Sequence, residues 1–346
     1  MTGLGDGIES IINGVAAGIN PARRPRFFDP QPYRSDIFVE LAESGPARYK
    51  TLNKRHVLKR VVTEALAQAC LSRLPEKTLI VHVGQFALQR SEQIPQYEAF
   101  ASPALDDDVA FSGAQDSHAF ITHACASAAI GVTFAREWIL SGCGSTVLVL
   151  GASLLNKFEV SGMDTMRALS RQGCRPFDIA RDGVTIGEGG GAVLIKGSKQ
   201  VESRGFLGSA FEIVGAHTTV NAESDVALDA DAVNACIMNA IEDAKLRKID
   251  IIHAHATGTA QGDASELRAI ESAAKSLRLE NIPVSSHKGS TGHLLHASGL
   301  AALGVEHAFF AQNTLLATAG LANPEPAERL YLFNKSFQVS SGERCS

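Results

Sequence analysis

The chain has 346 residues, 45% hydrophobic and 20% charged, with 32 Lys and Arg against 37 Asp and Glu for a net charge of −5. That is the composition of a folded globular chain, long enough for one large domain or two medium ones. It excludes a dedicated nucleic-acid binder, whose footprint is basic, and no stretch reaches the roughly 18 apolar residues that a membrane helix needs.

In chain order, Ile8–Ala17 reads as a short helix, and NPARRPRFFDPQP (20–32), broken by prolines, as loop. Lys54–Ala69 carries helical periodicity through Val57, Val61, Val62, Ala65 and Leu66. TLIVHVG (78–84) reads as a buried strand, Ala126–Leu140 as an apolar helix closed by Ser141-Gly142, and STVLVLGAS (145–153) as a second buried strand. GEGGGAVLIKG (187–197) reads as a glycine turn feeding a strand, and not as a nucleotide loop, since it is not GxGxxG and precedes no helix. GSAFEIVGAHTTVN (208–221) is strand-like, Asp229–Lys245 helical, and IDIIHAHATGT (249–259) a strand entering a loop. Asp263–Leu277 reads as helix, IPVSSHKGS (282–290) as a short strand and loop, and His296–Gln312 as an apolar helix. Near-continuous apolar strands alternating with helices point to α/β layers with buried sheets. The alternation restarts near residue 200, which suggests two similar halves, 1–200 and 201–346.

The six cysteines (Cys70, Cys125, Cys143, Cys174, Cys236 and Cys345) are scattered, with no CxxC pair. Neither a zinc site nor a disulfide scaffold is expected, and reduced thiols suit the cytoplasm. MTGLGDGIES has no basic region before an apolar run, so no secretory signal is expected.

Three stretches carry residues capable of chemistry. In ITHACASAAIG (121–131), Cys125 stands at the start of a helix among small neighbours. Unpaired N–H groups and the helix dipole there favour an anion and are expected to lower the thiol pKa, although a packed, inert cysteine is the commoner occupant of such a place. In HAHATGT, His253 and His255 share a strand face; His255 leads into the loop, while His253 lies deeper and reads as structural. SSHKGSTGHLLHASG (285–299) packs three histidines and Lys288 among glycines, with no HExxH metal spacing and no phosphate-loop context. His296 reads there as a helix-face residue.

Taken as an ordered set, THACASA, RPFDIARDGVTIGEGGGAVL (175–194), HATGT (255–259) and KGSTGH (288–293) resemble the β-ketoacyl synthase family, the decarboxylating condensing enzymes of fatty acid and polyketide synthesis. The resemblance runs over nearly the whole chain. It implies an α/β fold of thiolase type, layered α-β-α-β-α from two related halves. It implies a catalytic triad of Cys125, His255 and His293, with Lys288 and Glu266 as supporting polar residues and Asp263 as a structural one. It places Thr257 and Thr259 at the substrate, and Phe337 and Val339 in an oxyanion or gating loop. No metal or redox cofactor is implied, because the phosphopantetheine arm arrives on an acyl carrier protein. The implied partners are that carrier and either a second copy or a chain-length-factor-like homologue, paired through STVLVLG or its neighbour. Nucleic acid and membrane are not expected. The basic segment YKTLNKRHVLKR, with Lys50, Lys54, Arg55, Lys59 and Arg60, is a candidate docking face for an acidic carrier, or simply a solvated helix face.

The chain departs from the family pattern in places. The chain begins after the usual opening strand or has lost it, and NKSFQVSSGERCS (334–346) stands where NSFGFGGTN is expected, with Val339 in place of a gating phenylalanine and Ser340 and Ser341 in place of glycines. Ala302 replaces a frequent glutamate, and Gly151-Ala152-Ser153 an expected glycine-rich turn. These changes suggest a specialised branch, such as a polyene or polyketide pathway, or reliance on a partner subunit. A non-catalytic partner and a Cys-His acyltransferase without condensation are the alternatives.

Overall fold

The computed structural model describes residues 1–26, 28–41, 54–84, 117–197, 210–221 and 228–339. Its helices are α1 (Gly7–Ala16), α2 (Lys54–Gln68), α3 (Ser127–Leu140), α4 (Lys157–Thr165), α5 (Ala230–Ala244), α6 (Ala260–Leu277), the single turn α7 (Lys288–Thr291) and α8 (Ser298–Gln312). A 3₁₀ turn, Leu295–Ala297, leads into α8. The strands are β1 (Leu79–Val83), β2 (His118–Ile121), β3 (Thr146–Ser153), β4 (Gly189–Lys196), β5 (Ile252–His253), β6 (Ile282–Ser285), β7 (Thr314–Leu315), β8 (Leu330–Leu332) and β9 (Phe337–Gln338).

The first sheet has the order β2-β1-β3-β4, with β1 parallel to both neighbours and β4 antiparallel to β3. Every residue of β3 is buried, so its apolar side chains serve both faces. Leu148 and Leu150 meet Val57, Val61 and Val62 of α2, while Val147 and Val149 meet Ala128 and Ala135 of α3 and Leu300 of α8. The second sheet, β5-β6-β8, is parallel and is covered by Leu267, Ile270 and Ala274 of α6. Helix α8 lies between the sheets, since Leu300 packs on the first and Glu306 reaches His253 of β5 in the second. The sequence of layers is therefore α2, first sheet, α3 with α8, second sheet, α6.

The glycines of GEGGG do not form a turn. Gly189, Gly190 and Gly191 are strand residues paired with Ser153, Ala152 and Gly151. A Cβ on Gly190 would stand 2.7 Å from Val57 of α2, and one on Gly191 2.8 Å from Leu300 of α8. The missing side chains let a helix press directly onto each face.

Other expectations are also revised. No strand forms over the described part of 208–221, residues 210–221. The histidine-rich segment after β6 is a helical turn where a loop was expected, and α4, β2 and the short strands β7–β9 had no clear periodic signal. STVLVLG cannot pair with a second chain through β3, because β1 and β4 occupy both of its edges; among the described residues β2 is the edge strand on the cysteine side. Of the basic segment, Lys50 lies outside the described residues, Lys54 is largely buried, and Arg60 pairs with Asp6, so the face is weaker than its composition suggested. No described helix is long and apolar enough to cross a membrane.

Because Gly191 admits α8 to the sheet, Gly191→Val is expected to lower stability by about 1–3 kcal/mol, the cost of overpacking a close-packed contact. Urea unfolding followed by circular dichroism measures this; an unchanged midpoint would refute the packing role.

Candidate active site

Cys125 stands two residues before α3, on a turn whose backbone is pulled tight. Ala124 has φ +44°, the left-handed region that costs a non-glycine residue roughly 1–2 kcal/mol. The Ser127 hydroxyl holds the turn: it accepts from His123 N–H at 2.7 Å and donates to Ala124 O at 2.7 Å. Cys125 as a whole is partly buried.

His293 Nε2 lies 3.0 Å from Cys125 Sγ, and its Nδ1 lies 2.7 Å from Ser298 Oγ at the start of α8. Its backbone joins the segment before β4: His293 N–H donates to Thr185 O at 2.7 Å, and Gly187 N–H donates to His293 O at 3.0 Å. A Cβ on Gly187 would stand 2.3 Å from Thr291 O, so only glycine lets these strands approach. His255 follows β5, and its ring meets His293 edge-on at 5.4 Å between centroids. Donor atoms of Cys125, His255 and His293 all lie within 4.8 Å of one another. Such a Cys-His-His set could also grip a soft divalent ion such as Zn²⁺. The structure thus brings together the three residues singled out from sequence.

The supporting residues fall into place around the two loops. Glu266 of α6 accepts from His255 N–H at 2.6 Å and from Ala256 N–H at 2.7 Å. Asp263 accepts from Gly258 N–H at 3.0 Å and from Phe177 N–H at 2.9 Å, a purely structural clamp. The Lys288 ammonium donates to His255 O. The 174–185 stretch grips the same loop: Gly183 N–H donates to Gly258 O at 2.9 Å and Cys174 Sγ–H to Thr257 O at 3.0 Å. Thr257 and Thr259 meet each other, Oγ1 to Oγ1, at 3.1 Å. His253 is structural, as expected: it sits between Glu306 at 2.6 Å and His287 at 2.8 Å.

Burial sets the electrostatics. It raises the Cys125 thiol above its ordinary pKa, with Lys288 and the residue's own N–H pulling it back. The expectation of a lowered value is therefore overturned: desolvation at the sulfur outweighs the helix start and the cation. Burial holds His293 well below the ordinary histidine value, and Lys288 adds to it. His255 is lowered by the same two causes. Both imidazoles are neutral at pH 7 and each can donate one N–H. Burial also lowers Lys288, while Glu266 foremost and then Cys174 and Cys125 favour its charged form. Cys174, fully enclosed, is pushed up to about 12 and is inert beside Cys125.

Two residues lie where the sequence reading did not put them. Val339 N–H is spent on Asn313 O at 2.8 Å, and its side chain packs beside Leu315, Ala317 and Phe333. It is therefore not free to donate to an oxyanion. Phe337 meets Phe333 edge-on and Tyr331 at a tilt, and Ser340 and Ser341 lie outside the described residues. His296 is no helix-face residue: it is buried in the 3₁₀ turn, with Nδ1 3.0 Å from Ala124 O.

Two family profiles match the chain: "Beta-ketoacyl synthase, N-terminal domain" over residues 111–200 and "Beta-ketoacyl synthase, C-terminal domain" over 210–321. The chain belongs to the β-ketoacyl synthase family. It is 31% identical over 239 residues to the mitochondrial 3-oxoacyl-[acyl-carrier-protein] synthase of Arabidopsis thaliana, covering 64% of this chain and 49% of that protein. It is 27% identical over 288 residues to a non-reducing polyketide synthase of Talaromyces marneffei, covering 78% of this chain and 11% of that protein. The chain thus spans half or less of the length of these curated relatives. The solved ishigamide ketosynthase/chain length factor superposes with a TM-score of 0.80 at 21% identity, over 98% of this chain and 91% of that one. That likeness shows the thiolase-like fold, in agreement with the layers described above.

Since Lys288 is the cation that steadies a thiolate at Cys125, Lys288→Met is expected to raise the thiol midpoint further and slow alkylation at pH 8. The pH profile of iodoacetamide labelling checks this, and an unchanged or lowered midpoint would show that the ammonium does not act on the sulfur.

Proposed function

We propose that the chain is a β-ketoacyl-[acyl carrier protein] synthase working in fatty acid or polyketide assembly, such as a polyene pathway. The observation that carries the reading is the convergence of Cys125, His255 and His293 within 4.8 Å, from segments 130 and 38 residues apart. The names of relatives that match the chain, a 3-oxoacyl-[acyl-carrier-protein] synthase among them, support the same reading.

In the first half-reaction the Cys125 sulfur attacks an acyl thioester. A new S–C bond forms, the carbon–sulfur bond to the phosphopantetheine arm breaks, and the thiol proton leaves with the departing thiol. The tetrahedral oxyanion is met by the Cys125 N–H. In the second half-reaction a malonyl thioester occupies the site. With the Ser298 hydroxyl donating to Nδ1, His293 carries its ring proton on Nε2 and presents it, with the N–H of His255, to the thioester carbonyl. Loss of CO₂ leaves an enolate on that oxygen, which the two donors stabilise. The enolate carbon then attacks the acyl group, and the Cys125 sulfur leaves. Neutral imidazoles suit this role, because each must donate to an anion and neither must give its proton away. The chemistry requires no cofactor beyond the arm brought by the carrier, and the chain acts in the cytoplasm. Pairing with a second chain uses β2, the edge strand among the described residues, with either a copy of this chain or a chain-length-factor-like homologue.

One observation favours a second reading, in which the chain is a weakly catalytic partner subunit or an acyltransferase that does not condense. Val339, the residue expected to supply a second oxyanion donor, has its N–H engaged by Asn313.

Intact-mass analysis after incubation with acyl and malonyl carrier thioesters separates these. Condensation predicts an acyl adduct on Cys125, loss of CO₂ and a product two carbons longer. Adduct without CO₂ release supports the acyltransferase, and absence of any adduct supports the partner subunit. His293→Ala is expected to keep acylation but to slow decarboxylation by ~10²–10³-fold, the usual cost of one such donor.

A further inference from the structure

His296 and Glu159 form a buried pair directly beneath the nucleophile turn, and the mechanism above makes no use of them. The His296 side chain is 6% exposed and that of Glu159 8%. His296 Nδ1 stands 3.0 Å from Ala124 O. A carbonyl can only accept, so Nδ1 carries a proton. On the far side of the ring, Nε2 faces Glu159 Oε1 at 3.6 Å, and that oxygen has no hydrogen-bond partner among the described residues. The other carboxylate oxygen accepts from Asn156 Nδ2 at 2.5 Å. Asn156 in turn caps α4 by accepting from Glu159 N–H at 2.9 Å, so the carboxylate is held from two directions.

The acceptor matters more than the pair. Ala124 O belongs to the peptide group whose N–H is that of Cys125. A donor on the carbonyl end of an amide polarises it and strengthens the N–H at the other end. Three donors converge on that carbonyl: His296 Nδ1–H, the Ser127 hydroxyl and, at 3.2 Å, the Ser127 N–H; only the first comes from outside the turn itself. They also fix the plane of the Ala124–Cys125 peptide beside Ala124, whose φ is +44°. Buried glutamate and histidine are costly to keep in a core, and stability alone would be served by an apolar filler.

We propose that His296, oriented by Glu159, is a positioning residue that aims and polarises the Ala124–Cys125 peptide, so that the Cys125 N–H can stabilise the acyl-transfer oxyanion. The role compensates for the loss of Val339 as a second donor. It rests on the reading of Cys125 as the acyl acceptor.

The experiment is single-turnover acylation of the full chain by an acyl-carrier thioester, quenched in time and read by intact mass, for wild type, His296→Phe, His296→Asn and Glu159→Gln. His296→Phe keeps the ring volume without a donor, and is expected to slow maximal acylation by roughly 10–100-fold, less than the ~10²–10³ of a direct donor. The carrier concentration giving half-maximal rate should be unchanged. His296→Asn, whose amide N–H can reach the same carbonyl, should recover much of the rate, and Glu159→Gln should lose less than His296→Phe. In the infrared, the acyl-enzyme carbonyl stretch should move to higher wavenumber in His296→Phe, reporting a weaker hydrogen bond. Wild-type acylation rates in His296→Phe, or a change confined to half-saturation, would overturn the proposal. So would an Asn variant no faster than Phe. If His296→Phe fails to fold, by thermal melt, Glu159→Gln and His296→Asn decide by the same rates and stretch. If wild type itself takes up no acyl group, it is the condensing reading that fails, which the unmodified chain alone reveals.

Discussion

The site depends on one buried ammonium. Lys288 donates to His255 O, and its charge is felt at Cys125, Cys174, His255, His287, His293, Glu266 and Asp263. Burying a lone cation is costly, and burial does lower its pKa. The cost is offset by Glu266 and by the backbone oxygen it grips. Burial keeps both imidazoles neutral and that cation adds to it, while a thiolate at Cys125 gains the attraction that burial withholds. A single charge thus favours the deprotonated form of the sulfur and of both rings.

Around that cation the architecture works mostly through backbone. The segment 174–191 pairs with His293 through Thr185 and Gly187, with the His255 loop through Gly183 and Cys174, and with β3 through the glycines of β4. This explains why so many small residues occur in a stretch that contributes no reacting atom. Glycine at 187 allows one backbone to lie against another, and glycines at 190 and 191 admit a helix to each face of the sheet. The two histidines arrive on loops that could not otherwise be placed to within the fraction of an ångström that hydrogen bonding demands.

The departures from the family pattern acquire a physical meaning in this setting. Val339 is not a damaged gate awaiting substrate. It is an ordinary strand-end residue whose N–H closes β9 onto the turn before β7 and whose side chain joins a small apolar cluster with Phe333. On the opposite side of the nucleophile, Ser127 and His296 both reach the carbonyl before Cys125. The polar contacts thus gather at the turn before Cys125 rather than at the Val339 strand end.

Local sequence determined a good deal. The periodicity of Val57, Val61 and Val62 marked α2, the apolar run 145–153 marked β3 as a strand buried on both faces, and the ordered motifs marked Cys125, His255, His293, Lys288, Glu266 and Asp263. Those signals are local because side-chain spacing and chain order survive without a fold. Tertiary structure alone decided the sign of the Cys125 shift, since helix start and cation are readable in sequence but the burial that outweighs them is not. It also decided the fate of the Val339 N–H, which hinges on a carbonyl 26 residues away at Asn313. The same holds for His296, three residues after His293 and apparently on a helix face: its partners, Ala124 and Glu159, lie 172 and 137 positions earlier in the chain, and only packing of the 3₁₀ turn under α3 brings them together.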